Sequence, residues 1–181
     1  MDVINVFPPD ETAGRYAVSM LDVSGIHRKH LDIPYADISE RQKLDIYLPD
    51  EEDGPFPTIL YIHGGAFITG HRRDFSLTYM IDGIRRGYAV VSMGYRFSNE
   101  ATFPEPVFDV KTAVRFLRAN AEKYHLDPNR FCAVGASAGA YFTAMLAATA
   151  GIPEWRDTSS DMPNRIAPFR RPSAFSAAMT L

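Results

Sequence analysis

Three short runs of almost continuous apolar residues constrain the fold of this chain more than any other feature. The runs cover residues 58–62, 88–93 and 131–134. Apolar runs without polar alternation are typical of strands that are covered on both faces, as in a parallel sheet. Segments with helical spacing lie between them, over 74–87 and 104–124. This alternation of strand and helix predicts an α/β domain with a mostly parallel sheet and helices on both faces.

The remaining segments carry weaker signals. Residues 31–33 and 44–48 alternate apolar and polar side chains, which predicts two half-exposed strands. Residues 1–25 contain prolines and glycines around a short apolar segment, and we expect a loop and one helix there. Residues 152–181 contain 4 of the 13 prolines and show no periodicity, which predicts an irregular tail. We interpret all of these segments as parts of one domain that spans 1–181.

The composition is that of an ordinary globular protein and excludes several functional classes. With 19 basic and 22 acidic residues the net charge is −3, and no basic block predicts nucleic-acid binding. The single cysteine, Cys132, excludes an intrachain disulfide framework and a cysteine-based zinc site. No basic start precedes an apolar run, and the apolar stretch 138–152 is too short to span a bilayer. We therefore expect a cytoplasmic protein without nucleic-acid or membrane partners.

The segment Gly135-Ala136-Ser137-Ala138-Gly139 is a G-x-S-x-G motif between a predicted strand and a predicted helix. In this context the chain must turn sharply at the serine, and small neighbours let the backbone pass close to itself. The hydroxyl of Ser137 is then expected to project at a helix N-terminus, where backbone N–H groups can stabilise an anion. The motif therefore predicts a serine nucleophile.

A second glycine motif follows the predicted strand over 58–62. Gly64 and Gly65 can turn their N–H groups toward a ligand, because no side chain blocks them. Together with the N–H of Ala138, these groups are predicted to form an oxyanion hole for an acyl-transfer reaction. A glycine loop that merely turns the chain is the alternative. The residues expected beside the site are the rest of this motif: His63, Ala66 and Phe67.

Four motifs follow one another along the chain: His63 to Phe67, Tyr95 to Pro104, Asp109 to Arg118 and Gly135 to Gly139. Their order resembles that in α/β-hydrolase-fold esterases. The similarity covers about residues 27–150 and is closest to the carbohydrate acetyl or feruloyl esterase-like (BD-FAE-like) branch, near the hormone-sensitive-lipase-like esterases. It implies a three-layer α/β-hydrolase-like sandwich and a carboxylic-ester hydrolase.

The resemblance also implies roles for individual residues. Ser137 matches the nucleophile, and the backbone groups of Gly64, Gly65 and Ala138 match the oxyanion hole. The residues that match structural positions around the next strand and helix are Tyr95, Arg96 and Asp109.

The predicted nucleophile lacks an evident general base. In enzymes of this kind the acid and the histidine follow the serine in the chain, yet no residue after Ser137 is a histidine. Asp157 and Asp161 do follow, but in a segment without a predicted strand. We therefore expect a C-terminally truncated hydrolase that lacks the last strands and cleaves activated esters feebly. The apolar edge left at 131–134 would then favour self-association.

The other histidines are poor candidates for the base. His125 precedes the strand that carries the serine, so it is expected at the opposite end of the sheet. His27 and His30 are expected on or before an outer strand. His71 is expected on the correct side, but as a surface loop residue.

Two other functions remain open. A non-catalytic remnant of the fold could act as a binding or assembly module. A nucleotide-binding protein could use 134–139 as a phosphate turn, although neither G-x-G-x-x-G nor G-x-x-x-x-G-K-[ST] occurs. No cluster of histidines and carboxylates predicts a metal, and no cofactor is expected. The expected ligand is a small uncharged ester, and the aromatic residues considered for its pocket are Phe67, Phe97, Phe103 and Tyr141.

Overall fold

A computed structural model describes residues 3–6, 18–50, 53–152, 155 and 176–180. Turns of 3₁₀ helix, Phe75–Leu77 and Asp82–Arg86, flank the first α-helix. In chain order the strands and α-helices are β1 (Val3–Val6), β2 (Val18–Leu21), β3 (Lys29–Pro34), β4 (Lys43–Tyr47), β5 (Phe56–Ile62), α1 (Thr78–Ile81), β6 (Ala89–Met93), α2 (Glu105–Ala119), β7 (Leu126–Ala136), α3 (Ala138–Ala148) and β8 (Ser176–Thr180).

Six of these strands form one mixed sheet in the order β3-β4-β6-β5-β7-β8. Strands β6, β5, β7 and β8 run parallel to one another, while β4 is antiparallel to β6 and β3 is antiparallel to β4. The three apolar runs are the central strands β5, β6 and β7. The prediction of a mostly parallel α/β sheet is confirmed.

Both faces of the sheet are covered, because neighbouring residues of the central strands point to opposite sides. Leu60 and Ile62 of β5 pack in a core that includes residues of α2 and α3. Tyr61, between them, packs in a second core with Leu77 and Ile81 of the α1 region. Because the central strands are buried on both faces, successive side chains are all apolar and do not alternate with polar ones.

The strand at 44–48 is not half-exposed as predicted. Every residue from Leu44 to Leu48 is buried, including Asp45, which has no exposed surface. Asp45 is tolerated there because Arg73 binds its carboxylate with two hydrogen bonds. The polar residue in this alternating segment, Asp45, is therefore part of a buried ion pair and does not lie on an exposed face.

Both ends of the chain differ from the expectation. Residues 18–21 of the segment 1–25 form β2, which pairs with β1 as an antiparallel hairpin, so the helix predicted within 1–25 is wrong there. The tail 152–181 is not irregular throughout, because β8 pairs in parallel with β7. Residues 7–17 and 156–175 lie outside the described residues.

The strand β8 covers the side of β7 that faces away from β5. Because β7 is paired with β5 on one side and β8 on the other, the apolar run 131–134 is not an unpaired edge. The expectation of an unpaired edge at 131–134 is therefore wrong, and self-association loses the basis given for it.

The predicted helices form with altered boundaries. The helix over 104–124 is α2, which ends at Ala119 and is followed by turns. The helix over 74–87 is broken into α1 and its flanking 3₁₀ turns, which end at Gly87 with a left-handed backbone (φ 80°). Within the described part of the chain, every helix is too short or too polar to cross a membrane.

Substitution of Leu117 tests the main core. Leu117 of α2 has no exposed surface and packs in the core between helix and sheet. We expect Leu117→Ala to lower the free energy of unfolding by about 2–5 kcal/mol, because it leaves a cavity. Urea denaturation measures the change. The exposed Glu122, replaced by Ala, serves as the control with a change within about 0.5 kcal/mol, and equal stability of the two variants would contradict the packing described.

Candidate active site

Ser137 is the single residue between β7 and α3. Its backbone dihedrals are φ 52° and ψ −117°, an unfavourable conformation for a residue with a side chain. Its side chain is exposed to solvent. The strand, sharp turn and helix predicted from the G-x-S-x-G motif are therefore present, with the hydroxyl-bearing residue at the turn.

Two glycines allow this turn to form against the sheet. A side-chain carbon at Gly139 would lie 1.9 Å from the carbonyl oxygen of Ile62, the last residue of β5. One at Gly135 would lie 2.2 Å from the carbonyl oxygen of Gly139. Real carbon atoms do not approach oxygen so closely, so both positions require glycine. The serine turn is thus held against the end of β5, where the second glycine motif begins.

The structure brings Gly64 next to the serine turn. A side-chain carbon at Gly64 would lie 2.8 Å from the carbonyl oxygen of Ala136 and 3.4 Å from Cβ of Ser137. Gly65 has φ 120°, and its carbonyl oxygen accepts hydrogen bonds from the N–H groups of Ile68 and Thr69. Within ranges 18–50 and 53–152, the N–H groups of Gly64 and Gly65 donate to no other backbone group.

Ala138 is the first residue of α3. Because the first N–H groups of a helix have no acceptor within the helix, the N–H of Ala138 is available to a ligand. Ala138 directly follows Ser137 in the chain. The N-terminal end of α3, which is the positive end of the helix dipole, lies at the serine turn. The three amide groups predicted for an oxyanion hole therefore belong to backbone segments that meet at Ser137.

His63 is buried beneath this glycine loop. Its ring stacks on Tyr95 with centroids 4.5 Å apart, and the Tyr95 hydroxyl donates a 3.0 Å hydrogen bond to the His63 carbonyl oxygen. Its Nδ1 lies 2.7 Å from the carbonyl oxygen of Gly64, which can only accept, so Nδ1 carries the hydrogen. Burial lowers the pKa of His63 to about 4. The ring is therefore neutral at pH 7 and supports the loop.

Ala66 and Phe67 continue the loop with left-handed backbone conformations, φ 50° and φ 64°. The ring of Phe67 makes edge-to-face contacts with Tyr141 and Phe142 of α3, each at 5.5 Å between centroids. The Phe67 carbonyl oxygen accepts a 2.8 Å hydrogen bond from the N–H of Ser98. Phe67 thus joins the glycine loop to the helix that begins after Ser137.

The four aromatic residues considered for a pocket separate into two groups. Phe67 is half-buried and Tyr141 is 39% exposed, and both lie beside the serine turn. Phe97 is buried, with its ring against His63 and Tyr95. Phe103 is exposed and contacts Trp155. Phe67 and Tyr141 are therefore the two of these residues that are joined to the glycine loop and to α3, the segments on either side of Ser137.

The other histidines do not reach the serine turn through any described hydrogen bond. The His125 carbonyl oxygen accepts from the N–H of Phe56 at the start of β5, which is the opposite end of the sheet, as expected. His30 packs against Tyr124, and His27 lies 3.4 Å from Asp50. Asp157 and Asp161 lie outside the described residues.

His71 is part-buried and not the surface residue that was expected. Its Nδ1 accepts a 3.0 Å hydrogen bond from the N–H of Arg73, so its neutral ring carries the hydrogen on Nε2. Burial, followed by the charges of Arg72 and Arg73, lowers the pKa of His71 to about 4. Its ring lines a cavity of about 20 Å³, enough for one water molecule, beside His63.

Sequence reasoning missed the residues that support the glycine loop. Two signals were available. Asp45 lies inside a mostly apolar strand, and two arginines, Arg72 and Arg73, follow one another in the chain. A buried carboxylate needs a cationic partner, and the arginines can supply it. Gly70 was also missed, although it packs against the Gly64 carbonyl oxygen.

Across the described residues, no three side chains of histidine, cysteine or carboxylate type come together to hold a metal ion.

The sheet order, the strained serine between β7 and α3 and the glycine loop after β5 define an α/β-hydrolase fold. The BD-FAE family matches residues 44–170, and the chain belongs to this family. A solved truncated form of a carbohydrate esterase from gut microbiota superposes with a TM-score of 0.66 at 31% identity. That superposition covers 74% of this chain and 47% of the other.

Curated relatives with similar sequences are named as esterases. Esterase LipC of Mycobacterium tuberculosis is 31% identical over 75% of this chain and 35% of its own length. The isoprenylcysteine alpha-carbonyl methylesterase ICME of Arabidopsis thaliana is 35% identical over 62% of this chain and 26% of its own. The chain spans about a third of the length of the curated relatives it matches.

The close contact at Gly139 predicts a large effect of one added methyl group. We expect Gly139→Ala to lower the free energy of unfolding by about 1–3 kcal/mol or more, because the new carbon overlaps the Ile62 carbonyl oxygen. Gly25 is the matched control, since a carbon added there meets nothing within 4 Å. Thermal unfolding of both variants measures the difference. Equal melting temperatures would contradict the contact.

Burial of His71 predicts a dependence of stability on pH. The unfolded histidine takes up a proton near pH 6.5 but the folded one only near pH 4, so the free energy of unfolding falls as the pH drops between these values. We expect His71→Asn, which keeps an acceptor for the Arg73 N–H, to reduce that fall by about 1–3 kcal/mol. Urea titrations at pH 7 and pH 4 compare the two proteins, and parallel losses would rule the effect out.

Proposed function

We propose that this chain carries a serine hydrolase site that cleaves carboxylic esters through an acyl-enzyme on Ser137. The observation that carries the proposal is the exposed Ser137, strained between β7 and α3, with the backbone of Gly64 against its Cβ. Strain of this kind persists where the surrounding structure requires it, and it is typical of functional residues. The esterase names of the relatives agree with this chemistry.

In the proposed acylation step, Oγ of Ser137 attacks the ester carbonyl carbon and its proton leaves to a base. The carbonyl oxygen becomes an oxyanion that accepts hydrogen bonds from the N–H groups of Gly64, Gly65 and Ala138. Collapse of this intermediate breaks the bond to the alcohol oxygen, which takes up a proton. Water then attacks the acyl group by the same route, releases the acid and regenerates the serine hydroxyl.

The proton acceptor decides how fast this chain reacts. No histidine follows Ser137 in the 181 residues, and His63 is engaged with the Gly64 carbonyl oxygen. Among the described residues no histidine side chain hydrogen-bonds to Ser137, so we propose that these residues alone pass the proton to solvent and acylate slowly. Loss of a triad member costs several powers of ten in rate.

We propose small uncharged esters as substrates, among them acyl groups carried on sugars. Phe67 and Tyr141 form an apolar wall beside Ser137, which suits an uncharged acyl or alcohol group. The carbohydrate part of the proposal is supported by the gut carbohydrate esterase whose structure is similar.

A binding module without catalysis is the second candidate, because no described histidine side chain is hydrogen-bonded to Ser137. Turnover of a short-chain nitrophenyl ester separates the two functions. We expect hydrolysis above the buffer rate that falls at least about tenfold in Ser137→Ala, since the covalent route is then closed. Ser24→Ala is the matched control, an exposed serine in a loop, and is expected to keep the wild-type rate.

Covalent labelling gives an independent measurement of the same site. We expect a fluorophosphonate ester to label Ser137, located by mass spectrometry of the digested protein, and to leave Ser24 unlabelled. Hydrolysis at the buffer rate together with an unlabelled Ser137 would refute the hydrolase and support the binding module.

A further inference from the structure

We infer that Asp45 and Asp32, on strands outside the candidate site, are positioning residues that hold the Gly64 and Gly65 amides in place through Arg72 and Arg73. The inference deepens the proposed function and rests on it. Both carboxylates are engaged with Arg72 and Arg73. Their effect would pass through the loop 63–74, which runs from the end of β5 to the 3₁₀ turn before α1.

Two aspartates and two consecutive arginines form one ion cluster. Arg73 donates to both carboxylate oxygens of Asp45, from Nε at 2.6 Å and from Nη2 at 3.0 Å. The same Nη2 lies 2.8 Å from Oδ2 of Asp32. Arg72 bonds to Oδ1 of Asp32 through Nη2, and its Nε lies 3.2 Å from Oδ2 of Asp45. Each arginine therefore contacts both carboxylates.

Burial makes the cluster sensitive to loss of Asp45. Asp45 has no exposed surface and Arg72 is 8% exposed. Two negative and two positive charges balance each other, so removing the Asp45 carboxylate leaves both arginines without their full set of partners in a largely dry environment. Such an uncompensated charge is strongly unfavourable, and the arginines would move toward water.

Backbone and hydroxyl groups of the strands hold Arg72, Arg73 and Asp45 from other directions. The hydroxyl of Ser92, in the middle of β6, donates to the carbonyl oxygen of Arg72. The N–H of Leu21 in β2 donates to the carbonyl oxygen of Arg73 at 2.7 Å. The N–H of Asp32, itself in a left-handed conformation at φ 59°, donates to Oδ1 of Asp45 at 2.7 Å. Residues 72–73 are thus fixed to the sheet.

A short covalent path joins this cluster to the candidate oxyanion hole. Gly70, two residues before Arg72, packs so closely that a side-chain carbon there would lie 2.4 Å from both the Gly64 carbonyl oxygen and Nδ1 of His63. Between them the loop closes on itself, because the Gly65 carbonyl oxygen accepts from the N–H of Ile68 and of Thr69. A shift of Arg72 would therefore move Gly70 and the backbone of Gly64.

The loop needs such an anchor because its own conformation is unfavourable. Gly65, Ala66, Phe67 and Gly70 all have positive φ angles, and two of these four residues are not glycine. A backbone of this kind persists only where the surrounding structure over-determines it. The ion cluster supplies that constraint at the end of the loop away from β5.

Hydrogen exchange at the loop tests the inference apart from catalysis. The amides of Ile68 and Thr69 are protected by their bonds to the Gly65 carbonyl oxygen. We expect Asp45→Asn to speed exchange at these two amides by at least about tenfold, because the loop opens more often. Leu117→Ala is the matched control, since it destabilises the core at α2, which lies outside the loop 63–74.

Reactivity of Ser137 provides the second measurement. We expect Asp45→Asn to slow fluorophosphonate labelling of Ser137 by at least about tenfold, whereas Leu117→Ala labels at the wild-type rate while folded. Arg73→Lys is expected to lie between wild type and Asp45→Asn, because lysine keeps the charge and loses the two-bond geometry. If Asp45→Asn does not fold, Asp32→Asn takes its place, because the Asp32 side chain is 52% exposed.

The results separate this inference from the proposed function. Fast loop exchange with slow labelling supports the positioning role. Exchange and labelling that change in Asp45→Asn no more than in Leu117→Ala would show a purely structural cluster and overturn it. Wild-type protein that never labels at Ser137 would refute the hydrolase, and the exchange data alone would still decide whether the cluster holds the loop.

Discussion

The rest of the candidate site depends on one backbone contact between two neighbouring parallel strands. β5 and β7 pair in register up to Ile62 and Gly135, so both strands end at the same level of the sheet. The first turn of α3 then lies directly on the end of β5, at a distance that leaves no room for a side chain at Gly139. The serine turn and the glycine loop both begin at this contact, which is why they meet.

Two kinds of interaction hold the glycine loop, and they act at its two ends. Near β5, the loop rests on packed rings, with His63 stacked on Tyr95 and Phe67 against α3. At the other end, Arg72 and Arg73 bind the carboxylates of Asp32 and Asp45, and their carbonyl oxygens accept hydrogen bonds from β6 and β2. Aromatic packing alone gives little direction to a loop, whereas paired guanidinium and carboxylate groups fix both distance and orientation.

The fold was largely predictable where the signal is local or repeated. The three apolar runs, the long helix α2 and the strand–turn–helix at Ser137 each follow from residues close in sequence. The predictions failed at Asp45, at β2 and at β8. Alternation at 44–48 was read as exposure, because a sequence does not show that Arg73 supplies the missing partner. The short segments that form β2 and β8 carry no periodicity of their own and depend on the strands they pair with.

The sequence by itself determined the local features of the candidate site: a serine between small residues in a strand–turn–helix segment, and a pair of glycines after an apolar strand. Such features are local, since residue size and backbone conformation act over a few neighbours. Only the tertiary structure decided that His63 and His71 are buried and engaged with the backbone, and that a carboxylate inside β4 anchors the glycine loop. These outcomes depend on burial and on charges from distant segments, and both exist only once the sheet has assembled.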